Sequence, residues 1–189
     1  MNVRLLLVLA FVAAWPLQAF DDAVRARVQE SRRTWLEQPM HGITNAGRPL
    51  IVAGVVAGLL GGAAGRAVLL EGAVALVPVN AAVEGLKYAT NRQRPNGDHD
   101  RRNSAFPSSH AANAFALAVI VSRRWRGAAV PAFAFATLVA YSRMYLNKHW
   151  CVDVVAGASL GAALAWWTIS WWRSWRAGRE AAEPSSRTS

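Results

Sequence analysis

The sequence predicts an all-α protein: a polytopic membrane bundle of about five core helices, preceded by an N-terminal signal peptide or signal anchor. Three observations lead there. Residues 49–65, 105–122 (apart from His110), 127–142 and 154–172 carry no charged residue, whereas soluble amphipathic helices of such length nearly always show a charged face. The arginines that dominate a formal net charge of +10 gather at the ends of these runs. Five of the nine tryptophans crowd into residues 166–175, as in an aromatic belt at a membrane interface.

At 189 residues the chain allows one domain. Residues 1–20 hold one charge, Arg4, then an apolar run from Leu5 to Leu17 that closes on Leu17-Gln18-Ala19. A signal peptide cleaved after these small residues and an uncleaved first membrane helix both fit, cleavage slightly better. Residues 21–48 form an exported amphipathic segment. In it Val24, Val28 and Trp35 or Leu36 recur at helical spacing, so a surface helix resting on the membrane is expected up to about Gln38. Pro39 should end it, leaving 41–47 as a loop.

Residues 49–176 form the membrane domain. A spanning helix needs roughly 17–25 apolar residues, so the runs are adequate to slightly short. A fifth run, Ala67–Leu86, contains Glu71 and Glu84, both near its ends, where water or Arg66 and Lys87 are within reach. Gly54, Gly58 and Gly62, and again Gly157 and Gly161, stand four apart and permit close helix contact. Residues 177–189 are a polar tail expected to be disordered. Basic residues at helix ends, not along one face, argue against nucleic acid as a partner. The single cysteine, Cys151, excludes an internal disulfide and reads as packing. His41 and His99 read as exposed loop histidines.

Chemistry concentrates in three blocks. Residues 142–153 read SRMYLNKHWCVD; His149 and Asp153, four apart, share one face if helical and can hydrogen-bond. A carboxylate on one imidazole nitrogen fixes the tautomer, leaves the other lone pair outward and stabilises the cation formed when that nitrogen is bonded. Upstream, Lys87 and Arg94-Pro95 stand seven apart at the end of an apolar run; between the two blocks, Pro107-Ser108-Ser109-His110 opens another.

The pattern K-x6-RP, PS-x-H, SR-x5-H-x3-D resembles the signature of the type 2 phosphatidic acid phosphatase superfamily, which also contains bacterial acid phosphatases and vanadium haloperoxidases. The blocks span Lys87–Asp153 in the family's order; one departure is Ser109, where the family usually has Gly. The resemblance implies that Lys87, Arg94 and Arg143 hold phosphoryl oxygens. It also implies that His149 is a nucleophile oriented by Asp153, forming a phosphohistidine, and that His110 protonates the leaving group and later deprotonates water. Pro107 suits a first helical turn, so the amides of Ser108 and Ser109 and the Ser108 hydroxyl can face an anion. No metal and no cofactor is required. Positive φ at position 109 would cost Ser about 1 kcal/mol or more relative to Gly; a helical first turn would tolerate it.

Helix parity, with Arg66 inside, puts Lys87, His110 and His149 on the exported side and Arg123, Arg124, Arg126, Arg173 and Arg176 inside. The expectation is therefore a multi-pass phosphatase of the bacterial inner membrane. Its site would face the periplasm, and its substrate would be an isoprenoid diphosphate, a phosphatidyl phosphate or a lipid A phosphate. Two rivals are a soluble exported acid phosphatase, disfavoured by the uncharged runs, and a non-catalytic membrane scaffold with a decayed site. Against the second stands the presence of every expected side chain outside position 109.

Overall fold

The computed structural model describes residues 3–100 and 103–182, which contain α- and 3-10 helices and no strand. The α-helices are α1 (Val3–Glu30), α2 (Thr34–Asn45), α3 (Gly47–Leu60), α4 (Gly62–Thr90), α5 (Ser109–Arg124), α6 (Ala129–Tyr145) and α7 (Cys151–Ala182); a 3-10 turn, Arg126–Ala128, joins α5 to α6. Most of the expected polar tail, residues 183–189, lies outside the described residues.

Helix α5 is the hub, packed on α4, α6 and α7. Its neighbours face it with stripes of residues three or four apart, which share a helix face. On α4 the stripe is Ala75, Val79, Val83 and Lys87; on α7 it is Asp153, Gly157, Gly161, Ala165 and Ile169; on α6 it is Ala136, Ala140 and Arg143. Each stripe is small and apolar along its length and ends at one pole of the bundle in a charged residue of the sequence motifs. The register that packs the helices is therefore the register that delivers the site.

The glycines on α7 set the closest approach. A Cβ at Gly157 would run into the Ser108 carbonyl oxygen, and one at Gly161 into that of Ala112. Backbone-to-backbone contact of this kind needs a residue with no side chain. The buried core is rich in alanine, while Val77, Val130, Leu138, Val155, Trp166 and Trp167 are exposed. Small residues inside and large apolar ones outside is the arrangement for a lipid surround. Among the described residues, α4 and Cys151–Ala181 of α7 are long and apolar enough to cross a membrane.

Three expectations about elements change. The run 49–65 is not one helix: α3 stops at Leu60 and the chain reverses at Gly62, whose φ is 62°. A Cβ at Gly65 would meet the Gly58 carbonyl oxygen, so the glycine series forms a tight α3–α4 corner. Pro39 does not end a helix, and 41–45 is not loop; both lie in α2. Proline removes one intrahelical hydrogen bond there, but Met40, Leu36 and Ile43 pack on Tyr145 and Leu146, and that burial holds the helix together. Finally, the chain from Asp21 onward is not one surface helix. It breaks at Ser31–Arg33, and α1 and α2 pack against the polar end of α6 and α7.

Candidate active site

The ends of α4, α5, α6 and α7 converge on one pole. Ser108 N–H donates to the Asp153 carbonyl at 3.0 Å, joining the start of α5 to the start of α7. Lys148 N–H donates to the Arg143 carbonyl at 2.9 Å, folding the loop after α6 back toward the same point. Lys87, Arg94, Ser108, Arg143, His149 and Asp153 are all buried there, the four charged or imidazole-bearing ones other than Asp153 between 4% and 9% exposed.

His149 is held by a backbone group. Its Nδ1 lies 2.7 Å from the Ala105 carbonyl oxygen. A carbonyl only accepts, so Nδ1 carries the proton and Nε2 keeps its lone pair. Asp153, expected as the direct partner, has Oδ2 at 3.8 Å from Nδ1, an ion-pair separation outside hydrogen-bond range. The reason is local: α7 begins at Cys151, so His149 precedes the helix. The Asp153 carboxylate turns back instead to accept from Trp150 N–H at 2.9 Å through Oδ2, while Oδ1 accepts from Arg92 Nη1 at 2.6 Å. Burial pushes the His149 imidazole below its ordinary 6.5; the Asp153 carboxylate opposes this, and the Arg143 and Arg94 cations add to it.

The phosphate-binding candidates are held by neutral or peripheral partners. Arg94 donates from Nε to the Asn103 carbonyl at 3.1 Å and from Nη2 to the Asn103 amide oxygen. Arg143 Nη1 donates to Thr44 Oγ1 at 2.9 Å, and its Nε is buried without a hydrogen-bond partner. Neither guanidinium is in a salt bridge among the described residues, so their positive charge stays available to an anion. Lys87 pairs at 2.9 Å with Glu84, whose side chain is 59% exposed.

The middle block departs from expectation in detail. Pro107 precedes α5 instead of entering its first turn, and Ser108 is the N-cap, its hydroxyl accepting from Ala111 N–H at 3.5 Å. The Ser108 amide is committed to Asp153, so it does not face an anion. Ser109 opens the helix and does not have positive φ, which among the described residues is found at Asn91 and Asn147 besides two glycines. His110 stands exposed in the first turn of α5.

Sequence reasoning missed four participants. Arg92, inside the first block, bridges Asp153 to Asp21 of α1, at 2.7 Å from Nη2 to Oδ2. Asp21 has no exposed surface and also accepts from Val152 N–H at 2.9 Å. Thr44 and the Ala105 carbonyl complete the set. The available signals were slight: Asp21 is the first charge after a long apolar run, and Arg92 sits two residues from the motif arginine. Among the described residues no group of three or more His, Cys, Asp or Glu is placed to hold a metal ion.

The sequence profile of the PAP2 superfamily matches residues 65–177, from early α4 to late α7. The chain belongs to the PAP2 superfamily.

Within that superfamily the chain is 35% identical over 88 residues to the lipid A 4'-phosphatase of Bacteroides thetaiotaomicron, across 44% of this chain and 36% of the relative. It is 30% identical over 97 residues to the lipid A 1-phosphatase of Porphyromonas gingivalis, across 49% of this chain and 21% of the relative. The chain thus spans well under half the length of either. Its fold matches a transmembrane PAP2-type phosphatidylglycerolphosphate phosphatase from Bacillus subtilis with a TM-score of 0.69 and 26% identity, over 91% of this chain and 96% of that one. It also matches the fold of Aquifex aeolicus LpxE, with a TM-score of 0.68 and 21% identity over 78% and 93%. Among the described residues of this PAP2 chain two helices are long and apolar enough to cross a membrane, and the Bacillus subtilis neighbour, itself transmembrane, matches nearly the full length of the chain.

Proposed function

We propose that this chain is a lipid phosphate phosphatase working through a phosphohistidine on His149. The observation that carries the reading is the His149–Ala105 bond: it leaves Nε2 as a preset lone pair beside Arg94 and Arg143, two buried cations without salt bridges among the described residues. A phosphate ester resists attack because its own oxygens repel nucleophiles, so the catalyst must neutralise them, aim the nucleophile and protonate the leaving oxygen.

In this scheme Lys87, Arg94 and Arg143 take the phosphoryl oxygens. Nε2 attacks phosphorus in line, the P–O bond to the lipid breaks, and His110 gives its proton to the leaving alkoxide. His110 then removes a proton from water, which attacks the phosphohistidine; the N–P bond breaks, inorganic phosphate leaves and neutral imidazole returns. Proton transfer of this kind contributes typically 10²–10⁴-fold. Asp153 supports the imidazolium electrostatically from 3.8 Å.

A lipid substrate is supported by what flanks the pole. Leu86 and Tyr88 beside Lys87, and Val155 two residues past Asp153, are exposed, so an acyl or prenyl tail has apolar wall to lie on, at roughly 25 cal/mol per Å² buried. The named activities of the relatives direct the choice to a lipid A phosphate or a phosphatidylglycerol phosphate. We place the protein in the bacterial inner membrane with this pole toward the periplasm.

Phosphate release by purified protein tests the reading. Lipid phosphates of short and long chain are compared at equal surface fraction in mixed micelles. kcat/KM should rise with chain length, and no release from any lipid phosphate would overturn the assignment.

A further inference from the structure

The part of the chain matched by the superfamily begins at residue 65, yet a buried carboxylate from α1 reaches the site. Asp21 is fully buried, 71 residues from Arg92 in sequence, and binds its Nη2 at 2.7 Å; the same guanidinium binds Asp153 through Nη1 at 2.6 Å. Arg92 is thus shared between two carboxylates, and its Cζ lies 5.7 Å from the centre of the Trp150 ring.

Charge counting gives this arrangement a purpose. Asp153 is the negative group 3.8 Å from His149 Nδ1. Paired with Arg92 alone, it would present a neutral dipole to the imidazole and give little support to an imidazolium. The second carboxylate offsets Arg92, so the Asp21–Arg92–Asp153 cluster keeps one net negative charge beside His149. In a buried site such a charge acts at much less than water's dielectric constant. We propose that Asp21 is a positioning and charge-balancing residue: through Arg92 it holds Asp153 in place and keeps its negative charge available to His149. This deepens the assignment of His149 as nucleophile and rests on it.

The other groups near these residues include Arg94 and Arg143, which oppose an imidazolium on His149, Arg25 of α1, which lies over the Trp150 ring at 5.8 Å and donates to Asn147, and the Cys151 thiol at the start of α7. Gln18 on α1 adds a neutral acceptor for Arg92 at 3.3 Å. None of them replaces the charge of Asp21.

The experiment is a titration of the imidazole of His149 by NMR in histidine-labelled full-length protein in detergent, its signal assigned by loss in His149→Gln. It is run beside the pH profile of kcat/KM on a lipid phosphate. Asp21→Asn keeps shape and an acceptor for Val152 N–H but removes the charge. It should lower the His149 midpoint by about one pH unit, since a neighbouring charge shifts a pKa by about 1–3. It should also lower kcat about tenfold with little change in KM, and Asp21→Glu should restore part of both. Arg92→Gln should move the midpoint the other way. Asp21→Asn combined with Arg92→Gln leaves Asp153 as the remaining charge and should bring the midpoint back toward wild type.

A tether with no electrostatic role predicts the reverse for the pair, with the double variant at least as impaired as either single one and no compensating shift. That result, or an unmoved midpoint in Asp21→Asn, overturns the proposal. If Asp21→Asn does not fold, the Arg92→Gln and double-variant midpoints decide alone: opposite displacement and return support it, equal midpoints overturn it. Because the titration needs no turnover, failure of the phosphatase reading would show separately, as absent phosphate release with the midpoints still shifting.

Discussion

The carbonyl oxygen of Ala105 accepts the Nδ1 proton of His149 at 2.7 Å, across 44 residues of chain. The tautomer of the His149 imidazole is thereby set by the segment just before α5, and Asp153 is left to act as a charge and as the organiser of the α7 start. A backbone acceptor cannot be lost by mutation of a side chain, so the role left to Asp153 is open to a clean test.

His149→Ala should abolish phosphate release. Asp153→Asn should lower kcat by about 10–1,000-fold with KM nearly unchanged, because it retains an acceptor for Trp150 N–H and the Ala105 bond but removes the charge beside the developing imidazolium. Vanadate, which can mimic the five-coordinate transition state, should inhibit, and chelators should not. Chelator-sensitive activity restored by a divalent ion would contradict the scheme.

The acid limb of kcat/KM should fall below pH 6.5. Burial, only partly opposed by Asp153 and reinforced by Arg143 and Arg94, disfavours the protonated ring, so His149 stays neutral to lower pH than a free histidine. Stability follows the same sign. As pH falls through 6.5 the unfolded chain takes up this proton first, so stability present above 6.5 is lost progressively down to the folded pKa. Rate and thermal-unfolding profiles from pH 5 to 8, with His149→Gln as reference, check both.

Gly161→Ala should destabilise by about 1–3 kcal/mol, the usual cost of overpacking, because its Cβ meets the Ala112 carbonyl oxygen, part of a helix backbone. It should also reduce activity by straining the Ser108–Asp153 link at the same interface. Gly178→Ala, further along α7 with nothing near the added carbon, should be neutral or stabilising by up to about 1 kcal/mol. Thermal unfolding of the two variants in one detergent compares them directly.

A phosphatase-type reporter fused after Asn96, in the loop beyond α4, should be active outside the cytoplasm. The same reporter fused at Arg126, between α5 and α6, should be inactive. The two points lie at opposite ends of α5, so a reversed pattern would turn the whole bundle over and place the site in the cytoplasm.

Much of the candidate site was legible in the sequence because its parts are local. Lys87 and Arg94, Ser108 to His110, and Arg143 to Asp153 are short blocks whose spacing belongs to one helix end each, and the uncharged runs between them announce apolar helices. The four-residue repeats that end in Lys87 and Asp153 could be read as faces, since period alone defines a helical face.

Tertiary structure decided what joins one block to another. Nothing in the spacing of His149 and Asp153 reveals that Ala105 would take the Nδ1 proton, because the answer depends on α7 starting at Cys151 and on where the segment before α5 passes. Nor does the sequence around Asp21 separate it from an exported surface charge; its burial follows from α1 docking on residues 71 and 131 positions away. Pro39 reads as a helix stop until Tyr145 and Leu146 supply the surface that keeps α2 whole. Periodicity reports which face of a helix is apolar, whereas partners across the bundle depend on how the faces are assembled, and only the folded chain contains that.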